Sequence, residues 1–153
     1  LRESIAAADL LSADFKVEAD IWSCTSFNQL KRDGDDVSRW NMLHPDKKPK
    51  MSHVEKCLLD TDGPVVAATD YVKLFADQIR AYVPRSYSVL GTDGFGRSDS
   101  RQALRKHFEV DRYYIAVAAL NALMEDGSVS FKTVNAAIKK YGIDPNKNNP
   151  LMS

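Results

Sequence analysis

Cysteine is scarce. Cys24 and Cys57 are the whole complement of a 153-residue chain. That excludes a disulfide-stapled scaffold, a C-x-x-C redox centre and a cysteine-based zinc site, and it makes a reducing cytoplasm the default location. An excess of either charge is also missing, because Lys+Arg and Asp+Glu are 21 each. A balanced chain gives no electrostatic case for nucleic acid or an anionic membrane as partner. No apolar run approaches the roughly 18 residues of a membrane-spanning helix, and there is no secretory signal pattern. Neither the dinucleotide fingerprint G-x-G-x-x-G nor the P-loop G-x-x-x-x-G-K-[ST] occurs. No G-x-S-x-G nucleophile elbow occurs either.

What remains is an average globular composition, 44% hydrophobic and 27% charged, in a chain long enough for one domain with a real core. The most informative stretch is residues 87–111. It reads as strand, glycine-rich turn, helix. Val89 and Leu90 end the strand. Gly91, Gly94 and Gly96 suit positive φ or close backbone approach. Ser98, Asp99 and Ser100 are N-cap residues, and Asp99 with Gln102 fits a loose capping box. Such a loop aims free N–H groups at one point, as an anion site does. Turn chemistry alone explains the same residues. Both readings stay open here: an independent phosphate- or nucleotide-binding module using loop 91–98, or a plain strand-to-helix connection.

Along the chain we expect a helix from Arg2 to Ala13 and a strand from Ala19 to Ser26 holding Cys24 as a small buried hydrophobe. A short helical turn at 27–30 should be ended by Gly34, and a helix should then run from Asp35 to Leu43, stopped by Pro45. Ser52 opens a short helix. Val65 to Ala68 reads as a buried parallel strand. Thr69 or Asp70 should cap a helix from Tyr71 to Val83, with Leu74, Phe75, Ala76, Ile79 and Val83 inward. A strand over 87–92 leads into the glycine loop. Helices follow at 101–108, 112–124 and 131–141, then an extended tail at 143–153. The run Tyr113 to Leu120 is apolar almost all round, which predicts burial on two sides. One side should be the sheet; a second subunit or another domain could cover the other. Strands alternating with helices give an α/β fold, a three-layer α/β/α sandwich with a mostly parallel sheet. The chain opens on a helix, Leu1 and not Met being first, so we expect a fragment that begins just after a strand.

Chemistry-bearing candidates are few. His44, His53 and His107 form no H-x-x-x-H pair and stand apart from the cysteines, which argues against a metal site. His107 lies at a helix C-terminus, where a protonated imidazole is favoured. Asp70 and Asp93 end strands at the edge where open α/β sheets bind ligands. Helix capping for Asp70 and turn bonding for Asp93 are the structural alternatives. Arg97 is the one cation of the glycine loop.

Several segments together resemble a known family. They are Asp20 to Leu30 (DIWSCTSFNQL), Arg39 to Pro45 (RWNMLHP), Ala68 to Ala76 (ATDYVKLFA), Val89 to Ser100, Phe108 to Asp111 and Lys140 to Asp144. They resemble the C-terminal domain of the homodimeric bacterial pyruvate dehydrogenase family, and Gly94-Phe95-Gly96-x-Ser98 resembles the wider transketolase-like superfamily. Met51-Ser52-His53 stands where the family shows Val-Pro-Tyr, and Cys24 where it shows Val. The resemblance implies a transketolase C-terminal-domain-like sandwich over residues 1–153, with the first strand of its sheet lying ahead of Leu1. It implies a parent enzyme using thiamine diphosphate and Mg²⁺ to decarboxylate pyruvate and acetylate the lipoyl group of a dihydrolipoamide acetyltransferase core. It also implies a homodimer formed with a second copy of the same chain. The family's cofactor motif, G-D-G followed by N-N, is not here, since no Gly-Asp-Gly occurs and Asn148-Asn149 sits in the tail. The resemblance therefore implies no catalytic, cofactor or metal ligand in this chain. It makes Asp93, Gly94, Phe95, Gly96, Arg97 and Ser98 a loop bordering an interface or the active site.

Overall fold

The structure, a computed structural model, describes residues 1–152. Its centre is a parallel pair of strands, β1 (Val65–Ala68) and β2 (Tyr87–Leu90), in register Val65↔Tyr87 to Ala68↔Leu90. Side chains alternate across a strand, so this small sheet feeds two cores. Ala68 and Leu90 pack into one with Ala7, Leu11, Ile115, Ala116, Leu120, Val134 and Ala137. Val65, Ala67 and Val89 pack into the other with Val54, Leu58, Ile79, Val83 and Tyr87. Helices lie on both faces, so the α/β class is as expected. Among the described residues the sheet has two strands.

The first core is built by α1 (Arg2–Phe15), α6 (Arg112–Glu125) and α7 (Phe131–Lys140). α1 ends in a left-handed Lys16 whose N–H, with that of Val17, satisfies the carbonyls of Ser12 and Leu11. Asp111 caps α6 by accepting from the amides of Tyr113 and Tyr114, both at 3.0 Å. The apolar girth of α6 is covered by α1, α7 and both strands of its own chain. A second subunit is not needed to explain it.

The second core is built by α2 (Phe27–Leu43), α3 (His53–Leu58) and α4 (Lys73–Asp77), with a 3₁₀ turn at Arg80–Tyr82. α2 is one continuous helix, capped by Ser26, where a break at Gly34 was expected. Gly34 is buried against the Tyr82 ring, which a Cβ would overlap. Close approach, not turn formation, is the reason for that glycine. Ser52 and Glu55 form a complete capping box on α3.

Three further expectations are corrected. Residues 19–25 form no strand; Ile21 and Trp22 are exposed, Trp22 at 57%, and Cys24 is exposed as well. β-propensity by itself does not supply the neighbouring strand that a ladder needs. The expected helix 71–83 is split. α4 spans five residues, and Ile79 and Val83 are buried while Leu74 and Phe75 face out. The tail is not extended. It turns back and ends in a 3₁₀ helix, Pro150–Met152, with Pro150 buried. Among the described residues no helix is long and apolar enough to cross a membrane.

Candidate functional site

The glycine loop leaves β2 at the C-terminal edge of the sheet, beside the segment that leaves β1. Its first half is fastened to that segment. Thr92 donates its amide to the Tyr71 carbonyl (2.9 Å) and its hydroxyl to the Asp70 carbonyl (2.9 Å). Asp93 Oδ1 accepts from the Lys73 amide at 2.9 Å. Asp93 therefore satisfies the first orphan donor of α4 from across the sheet edge. Gly91 is buried, and a Cβ there would meet the Tyr71 carbonyl at 2.7 Å. The helix-capping role expected of Thr69 or Asp70 is taken instead by Asp93. Thr69 Oγ1 accepts from the Tyr71 amide, and the exposed Asp70 carboxylate stands 3.8 Å from Arg105. The two aspartates do not converge on a shared ligand position; each has its own partner.

The second half of the loop is exposed. Gly94 alone of the three loop glycines has positive φ, 107°. A Cβ on it would lie 2.7 Å from the Pro150 carbonyl, so the tail seats directly on the loop. Phe95 is 80% exposed, and nothing lies near a Cβ on Gly96. Arg97, Ser98 and Asp99 line a depression of about 270 Å³ with Ala103, Leu104 and His107. A smaller one of about 110 Å³ lies beneath the tail, between Lys73, Gly91, Asp93, Glu109, Asn149 and Leu151. The following helix, α5 (Arg101–His107), is capped by Ser100, which accepts from Ala103; Asp99 accepts only from the Ser100 amide. The expected Asp99–Gln102 capping box is absent.

His107 behaves opposite to expectation. Its imidazole pKa is pushed down, first by burial and then by Arg97 and Lys147, with Glu109 opposing. The reason is visible at the end of α5. Lys147 Nζ already donates to the carbonyls of Lys106 (3.3 Å) and His107 (2.6 Å) and to Glu109 Oε1 (3.1 Å). The position where an imidazolium would meet the helix C-terminus is held by an ammonium.

Glu3 of α1, which is 16% exposed, ties α5 to the start of α6. Glu3 accepts from Arg105, from the Arg112 guanidinium and from the Arg112 amide, at 3.0 to 3.3 Å. The hydrogen bond from Arg112 is the main reason its carboxyl is held below the usual range.

One pair was missed from the sequence. His53 Nε2 and Cys57 Sγ stand 3.4 Å apart on α3. The H-x-x-x-C spacing, one helical turn, was the available signal. Among the described residues no three His, Cys, Asp or Glu side chains gather as a metal site would require.

A sheet edge closed by a glycine loop, with helices on both faces, defines a class, and the sequence comparisons agree with it. The chain belongs to the transketolase-like C-terminal domain family: residues 1–111 match the family described as "Transketolase-like TK C-terminal domain". Its relatives narrow the kinship. The chain is 59% identical over 150 residues to the "Pyruvate dehydrogenase E1 component" of Cupriavidus necator. It is 60% identical over 152 residues to that of Pseudomonas aeruginosa and 51% identical over 154 residues to that of Escherichia coli. These alignments cover 98%, 99% and 100% of this chain but only 17% of each relative. α6, α7 and the tail lie outside the family match and inside these alignments.

Proposed function

We propose that the chain is the C-terminal domain of a pyruvate dehydrogenase of the thiamine diphosphate-dependent, acetyl-transferring type. Its task there is architectural: it shapes an interface and borders the active site without supplying a reacting group. The identity of 59% and 60% to two such components over nearly the whole chain carries this reading. In the complete enzyme, pyruvate is decarboxylated and its acetyl group passes to the lipoyl group of the acetyltransferase core. Thiamine diphosphate and Mg²⁺ belong, in this reading, to the remainder of the complete enzyme; it is supported by the lack, among the described residues, of any three His, Cys, Asp or Glu side chains gathered together.

The glycine loop, Asp93 to Ser98, is the element we place against the rest of the enzyme or its second copy. Its support is the outward display of apolar side chains at this edge: Phe95, Leu74, and Tyr71 with Phe75 at 5.4 Å between ring centroids. Apolar groups held in water at one edge of a domain mark a covered surface. A phosphate cradle in the same loop finds less support, because the Asp93 carboxylate and the Pro150 carbonyl already occupy its inner side.

The test has two arms. Titration of the isolated chain with thiamine diphosphate and Mg²⁺ in a calorimeter should give no heat of binding, and micromolar binding would sink the architectural reading. In the complete enzyme, Arg97→Ala should lower dimer stability or pyruvate decarboxylation more than His53→Ala. Equal behaviour of the two variants would remove the loop from the interface.

A further inference from the structure

The observations around His107 go beyond that reading and do not depend on it. Its Nε2 is buried and has no hydrogen-bond partner. An orphaned buried polar atom is costly and calls for an explanation. The ring lies where two separate segments meet. On one side it shares the 270 Å³ depression with Arg97, Ser98 and Asp99 of the glycine loop. On the other, its carbonyl accepts from Lys147 of the tail. Its ring is set edge-on to Phe108, with 4.8 Å between centroids, and Phe108 lines the cavity beneath Pro150 and Leu151. Loop and tail also touch directly, at Gly94 and Pro150.

We propose that His107 is a pH-sensitive latch, whose uncharged ring lets the glycine loop and the C-terminal segment 144–152 close on each other and whose protonation loosens both.

A proton on Nε2 would create a buried donor without an acceptor, on a cation flanked by two more. Arg97 faces it from the loop and Lys147 from the tail; Lys106 is next to it on α5 and exposed. Two acids stand nearby. Glu109 is engaged by Lys147, and Asp99 by the Ser100 amide. Glu109 opposes the two cations but is outweighed by them and by burial. The sign follows. The closed state holds the imidazole pKa below its ordinary value. The stabilisation is therefore complete above about 6.5, the free imidazole value, and is lost as pH falls through the lowered one.

Hydrogen exchange of the intact polypeptide that carries this sequence, corrected for intrinsic rates, tests the latch between pH 7.5 and 5.5. Peptides covering 93–98 and 144–152 should exchange about threefold faster or more at the lower pH, while peptides of α6 stay unchanged. In His107→Gln the two segments should lose this pH dependence. Arg97→Gln, which removes one of the two facing cations, should shrink it and keeps the test decisive if His107→Gln fails to fold. The latch is overturned if the wild type shows no such change, or if either folded variant keeps the full wild-type response.

Discussion

The two faces of the sheet are held by different means. The core under α1, α6 and α7 is aliphatic and close-packed. Ala116, Leu120, Ala122 and Ala137 have no exposed surface at all, and the polar interactions stand at its rim, through Glu3 and through Asp14, which meets Lys140 and Tyr141. The core under α2, α3 and α4 carries aromatic rings with polar ends. Tyr87 donates to the Ala76 carbonyl at 2.8 Å. Tyr82 donates to Asp35 and stacks on Gly34. Arg85 reaches Thr61 and the Leu58 carbonyl. The first face is specified by volume and the second by directed bonds. Perturbations should therefore differ in kind between them.

The largest effect is expected on the first face. Leu120→Ala opens a cavity between helices that cannot collapse onto alanines, and should cost about 2–5 kcal/mol. Denaturant unfolding measures it, and a loss under about 1 kcal/mol would mean this face is as adaptable as the other. Glu3→Ala comes next, at about 1.5–3 kcal/mol, because charge-assisted bonds from two arginines and one amide are lost together. Its effect should depend on pH. The Glu3 carboxyl is held low in the fold, so its contribution is complete above about 4.3 and disappears as pH falls through the lowered value. Wild type and Glu3→Ala should converge in stability in acid; parallel curves would contradict the assignment.

On the second face, Gly34→Ala forces the Tyr82 ring aside and should cost about 1–3 kcal/mol. Melting that matches the wild type would show that the ring moves freely. Tyr87→Phe is the mildest, about 1 kcal/mol, since packing stays and one hydrogen bond is lost. Burial also pushes the Tyr87 hydroxyl pKa up, so absorbance titration of wild type against Tyr87→Phe should show the lost phenol ionising above the ordinary tyrosine value of about 10. Ionisation at the ordinary value would place its hydroxyl in solvent.

Much of this was readable locally. The capping residues Ser52 and Asp111, the strands at 65–68 and 87–90 and the glycine at 142 stand where side-chain chemistry predicts them. The site was less legible. Asp93 was named as a candidate, but its partner, the Lys73 amide, lies twenty residues away. His107 was read as a favourable cation because the local helix end argues so, and Lys147, forty residues on, reverses that. Gly34 looked like a break because its contact with Tyr82 is invisible from its neighbours in sequence.

The sequence by itself determined the two central strands, most helix starts, and kinship to one enzyme family, because caps, periodicity and motif segments act over a few residues. Tertiary structure alone decided which side chains meet: the seating of the tail on Gly94, the role of Asp93 and the charge state favoured at His107. Those outcomes depend on burial and on partners distant in the chain, and neither is written in local spacing.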